Sequence, residues 1–117
     1  MENRIIKMGL ESGEVICERV KMANTMDERM IGLMMKKDLV GYDGLLIVPC
    51  NSIHTFFMRM NIDVLFLDKK NKIVKIIYDM KPWRLTGIYF KAHQVLEMKA
   101  GTLSRNIKIG DTLREYV

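Results

Sequence analysis

The sequence predicts a mainly β domain of the α+β class: a small antiparallel β-sandwich or partly open barrel with one helix packed on it. Three observations carry that expectation. Short β-branched, aromatic and apolar runs recur at about ten-residue spacing and are separated by turn residues. A helix-capping signature followed by apolar residues three and four apart occurs near the start of the chain, at residues 25–38. No strand–helix–strand alternation follows, which argues against a parallel sheet.

Taken in order, Ile5 and Met8 precede a turn signal at Ser12-Gly13, and Val15-Ile16-Cys17-Glu18-Arg19-Val20 favours an extended return, so a hairpin is expected. Thr25 followed by Glu28 has capping-box spacing and starts the helix. Met26, Met30, Leu33 and Met34 then share one face, read as the buried face, with Met35 and Met58 or Met60 as an alternative docking surface. Gly41 and Asp43-Gly44 close the element. Leu45 to Val48 is a strand stopped by Pro49, and Ile53 to Met58 alternates as another, His54, Phe56 and Met58 facing one way. Asp63 to Leu67 and Ile73 to Tyr78 form a hairpin across Asp68-Lys69-Lys70-Asn71. Ile88 to Phe90, His93 to Met98 and Thr112 to Tyr116 complete the strands, with one helical turn expected at residues 102–106.

A chain of 117 residues with 49% apolar and 28% charged residues supports one core, so residues 1–117 are read as a single domain. The opening residues lack an apolar stretch of signal-peptide length, and no run approaches the ~20 residues that span a bilayer. The expectation is a soluble, cytoplasmic protein whose two cysteines, Cys17 and Cys50, stay reduced. A net charge of +5 favours anionic partners, but the bases are scattered among acids, which argues against nucleic acid as the partner.

Several segments together resemble one family. Gly32-Leu33-Met34, Gly44-Leu45-Leu46-Ile47, Ile53-His54-Thr55-Phe56-Phe57-Met58, Ile62-Asp63-Val64-Leu65-Phe66-Leu67-Asp68, Pro82-Trp83-Arg84, Val95-Leu96-Glu97, Ala100-Gly101 and Gly110-Asp111 stand in the order seen in the uncharacterised bacterial and archaeal family called domain of unknown function 192. The resemblance runs from about Arg29 to Leu113. It implies a compact, mainly antiparallel β-domain with a packed helix, and implies no activity. Where many members carry a proline, this chain has Met60-Asn61.

Two classes of function follow from the side chains. The first is a non-catalytic binding or accessory domain that takes a small anionic ligand, or a protein partner, in a pocket near His54, Asp63, Trp83 and Arg84. Asp63 lies inside an apolar run, so its burial demands a cation or several N–H donors, and Arg84 beside Pro82-Trp83 is a fork-shaped candidate. The second is a hydrolase-like enzyme with Cys50 or His54 as nucleophile or base and Arg84 stabilising an anion. Four residues of extended chain span about 13 Å, so Cys50 and His54 meet only if a turn joins them. No close-spaced Cys or His pairs suggest a metal, no nucleotide-binding loop suggests a cofactor, and Glu97 is read as a solvent-facing strand position.

Overall fold

The computed structural model describes residues 4–116. Seven strands form one sheet: β1 (Ile5–Leu10), β2 (Val15–Ala23), β3 (Gly44–Ile47), β4 (Ile62–Leu67), β5 (Ile73–Met80), β6 (Gln94–Lys99) and β7 (Leu113–Tyr116), in the order β5-β4-β6-β3-β2-β1-β7. All neighbours are antiparallel except β2 and β3, whose parallel pairing requires the crossover that carries helix α1 (Met26–Ile31). The two outer strands bend toward each other. Lys72 bridges Thr112, and the Ile73 N–H donates to the Asp111 carbonyl at 2.8 Å. The sheet is therefore a curled half-barrel rather than a sandwich.

The curl creates two cores on opposite faces of one sheet. The inner face gathers Met8, Val20, Leu46, Leu65, Leu67, Leu96, Met98 and Leu113. The outer face buries Leu45, Ile47, Ile62, Val64, Phe66 and Val95 beneath Leu33 and the connecting segments. The middle strands β3, β4 and β6 are covered on both sides, which explains their continuous apolar runs. Each such Leu, Ile, Val or Phe contributes about 1.5–3 kcal/mol relative to exposure.

At the hairpin between β1 and β2 the backbone approaches itself closely. A Cβ on Gly9 would lie 2.4 Å from the Glu14 carbonyl oxygen and 2.9 Å from the Val15 Cα, so backbone atoms would have to move. Gly9→Ala is expected to destabilise the fold by about 1–3 kcal/mol, read as a lower urea midpoint.

Several expected elements take another form. The capping box is present: Thr25 Oγ1 accepts from the Glu28 N–H and Glu28 Oε1 accepts from the Thr25 N–H, both at 3.2 Å. The helix, however, stops at Ile31 rather than near residue 38, because Gly32 adopts φ 50° and ψ −122° and breaks the helical path. With little more than one turn there is no long helical face. Met26 and Met30 are 68% and 66% exposed, and Leu33, set by the turn after the helix, is the residue that buries. Met58 and Met60 are also buried, which removes them from an exposed docking surface.

Residues 53–58 form no strand beyond a single bridge between His54 and Leu85. Thr55 is the cause: its buried hydroxyl donates to the Lys81 carbonyl at 2.7 Å and accepts from the Arg84 N–H at 2.9 Å, tying the segment to the 81–86 loop. Residues 88–90 and 102–106 are likewise turns and irregular chain rather than a strand and a helical turn.

Candidate functional site

Asp63 and Glu97 illustrate how strand alternation sorts the polar residues. In the β4–β6 pairing Asp63 stands opposite Met98, an inner-face residue, while Val64, an outer-face residue, stands opposite Glu97. The two carboxyls therefore leave the sheet on opposite faces. Both are 1% exposed, so Glu97 is not solvent-facing.

Asp63 is fully satisfied by backbone. Its Oδ1 accepts from the Asp79 N–H at 2.9 Å, and its Oδ2 accepts from the N–H groups of Gly101 and Leu103, each at 3.0 Å. It pins the ends of β5 and the 101–103 turn. Arg84 is not its partner: Arg84 is exposed, and its Nη1 donates to the Pro82 carbonyl at 3.3 Å.

Glu97 has different surroundings. It lies under the turn that ends α1, where a Cβ on Gly32 would come 3.9 Å from Glu97 Oε1. A cleft of about 70 Å³ opens there, with Arg29, Cys50, Ser52, His54 and Glu97 among its lining residues. Its apolar wall comes from Met34, Ile47, Ile53 and Met58. The cleft continues into a shallower groove of about 360 Å³, bordered by Met26, Met30, Pro49 and Asn51.

The backbone holds these groups in place. The capping box fixes the first turn of α1 and so the start point of Arg29. The Arg29 Nη1 donates to the Pro49 carbonyl at 3.3 Å, and the Cys50 N–H donates to the His93 carbonyl at 2.8 Å. Among the described residues, two buried side-chain polar atoms have no hydrogen-bond partner: Arg29 Nε and Glu97 Oε1. Both belong to residues of this cleft. Burial pushes the Glu97 carboxyl up to about 8, so it carries its proton at neutral pH.

Cys50 and His54 line the same cleft but point to other partners. The Cys50 thiol donates to the Ser52 carbonyl at 3.1 Å, and burial raises it above the ordinary thiol range. The His54 Nδ1 accepts from the Phe56 N–H at 3.2 Å. Thiol and imidazole share no hydrogen bond among the described residues. Cys17 sits in the inner core with its thiol pushed up to about 12, first by burial and then by Asp43. No cluster of three or more His, Cys, Asp or Glu side chains suited to a metal occurs among the described residues.

Trp83 lies at the far end of an aromatic row that starts at His54. His54 stacks on Phe56 at 5.0 Å, Phe56 lies 6.0 Å from Trp83, and Phe57 packs on Trp83 at 4.8 Å. Of the four residues expected to form one pocket, His54 borders the cleft, Trp83 lies beyond it along this aromatic row, and Arg84 and Asp63 stand apart. Glu97, expected to face solvent, is buried instead, as the argument that buries Asp63 also requires of an acid inside the run Val95-Leu96-Glu97-Met98. Arg29 is the polar residue of the cleft that the sequence does not single out. Nothing local marks Arg29.

These features define a curled β half-barrel whose outer face carries a small cleft floored by a buried carboxyl. The chain belongs to the family known as domain of unknown function 192, described as "Uncharacterized ACR", whose profile matches residues 8–115. It is 36% identical over 107 residues to a UPF0127 protein of Thermococcus sibiricus, covering 86% of this chain and 68% of that one. A UPF0127 protein of Pyrococcus horikoshii is 35% identical over 104 residues, covering 83% of this chain and 87% of that one. Among solved structures, a protein of unknown function from Novosphingobium aromaticivorans has a TM-score of 0.78 at 22% identity, over 96% of this chain and 84% of that one. A proposed transcription regulator of Sinorhizobium meliloti has a TM-score of 0.81 at 22% identity, over 98% and 96%. Both share the fold. No helix among the described residues is long and apolar enough to cross a membrane.

Proposed function

We propose that the chain is a small-molecule-binding domain whose site is the cleft over Glu97. One observation supports this above the others: Arg29 Nε and Glu97 Oε1 are buried, unpartnered and in the same cleft. Each unsatisfied buried group costs about 1–3 kcal/mol, and folded proteins leave few of them. A ligand that hydrogen-bonds both removes the two penalties together, and the apolar wall offers it a desolvated surface. His54 stands at the edge of the site, while Trp83, Arg84 and Asp63 take no part.

The test is a thermal-shift screen of small metabolites against the full chain. A ligand of this site raises Tm in the parent and in Arg84→Ala, and loses its effect in Arg29→Met. Stabilisation that survives Arg29→Met and disappears in Arg84→Ala would move the site out of this cleft.

A further inference from the structure

Resting on that reading, we infer that the cleft receives the carboxylate head of a small monoanionic ligand whose apolar tail lies along the outer groove. Arg29 and Glu97 line the same cleft and each leaves one buried atom unpartnered, so a single ligand group that meets both satisfies the site.

Charge and hydrogen-bond type then select the group. Arg29 forms no ion pair among the described residues. Its guanidinium is the cation of the cleft and has no anion to balance it. The titratable groups that share the cleft with Glu97 are Arg29 from α1 and Cys50 and His54 from the 50–54 segment. Its cross-strand neighbours, Leu45 and Val64, bring none. A carboxylate has two acceptor oxygens: one accepts from the Arg29 Nε–H and the other from the Glu97 O–H, while the negative charge balances the guanidinium. An ammonium would sit against Arg29, and a neutral amide would leave the charge unbalanced. Beyond the head group, Met26, Met30 and Pro49 offer apolar contact to a short chain.

Three probes with one tail and different heads separate the alternatives: butyrate, butylamine and butyramide, titrated into the isotope-labelled full chain and followed by NMR. Butyrate is expected to shift the Arg29 Nε–H resonance and the Gly32 and Ser52 amides saturably, with no saturable shift from the other two. Since only chains with protonated Glu97 are competent, its Kd should rise about tenfold per pH unit above the Glu97 pKa. Glu97→Gln should abolish that slope, and Arg29→Met should abolish the shifts. Tighter binding of butylamine or butyramide, or a butyrate Kd that stays flat between about pH 7 and pH 9, overturns the carboxylate assignment and leaves the site standing. If no probe moves these resonances, the cleft is not the binding site and the broader reading falls with it.

Discussion

Asp63→Ala is expected to destabilise the fold by about 3–5 kcal/mol, lowering Tm by more than about 10 °C. The carboxylate accepts three backbone N–H groups, from Asp79, Gly101 and Leu103, and one of these bonds is wholly buried. Alanine returns none of these bonds. The donors stay out of water's reach to differing degrees, and each orphaned donor costs about 1–3 kcal/mol. Asp63→Asn keeps one acceptor oxygen, which can serve the Gly101 and Leu103 donors, but its amide nitrogen then faces the Asp79 N–H. It should therefore fall between the parent and alanine, and it remains measurable if the alanine variant does not fold. Urea unfolding of both variants checks the order. A loss below about 1 kcal/mol for Asp63→Ala would mean that water replaces the carboxylate at all three positions.

That a carboxylate inside β4 must be satisfied could be read from Ile62-Asp63-Val64-Leu65-Phe66, because burial forbids a lone charge. What satisfies it could not. The donors lie in segments far along the chain, and an arginine fork and a set of backbone N–H groups meet the same need. The doubly buried strands were legible because both faces of β3, β4 and β6 are covered, and so was the start of α1, because capping chemistry is local. The end of α1 was not legible. Gly32 has the same composition signal whether it continues a helix or turns out of it, and here the turn seats it over Glu97. Residues 53–58 depart from the expected strand for a similar reason, since the Thr55 hydroxyl takes up backbone groups of the 81–86 loop instead of leaving them to a strand ladder. Arg29 and Glu97 meet only through tertiary packing, so the cleft belongs to the fold rather than to any motif.

Glu97→Gln is expected to stabilise the protein at neutral and alkaline pH and to remove part of its pH dependence. The carboxyl ordinarily titrates near 4.5 and in the fold is pushed to about 8 by burial. Between those values the folded chain keeps a proton that the unfolded chain has lost. The unfolded state binds fewer protons there, so stability falls as pH rises, by about 1.4 kcal/mol per pH unit. The contribution is intact below the unfolded value, is lost progressively up to the folded one and is flat beyond it. Integrated, the loss is on the order of 5 kcal/mol. Glutamine keeps the shape and the neutral donor of the protonated carboxyl without a group that can ionise, so the two proteins should match below about pH 4 and diverge above it. Carboxylates held low by hydrogen bonds, such as Asp38 and Asp68, produce the opposite slope at acid pH in both proteins and cancel in the difference. Parallel urea-midpoint profiles across pH would mean that Glu97 ionises in the fold with compensation from Arg29. The carboxylate ligand would then lack the proton it needs from Glu97, so the stability profile and the binding profile must stand or fall on the same titration.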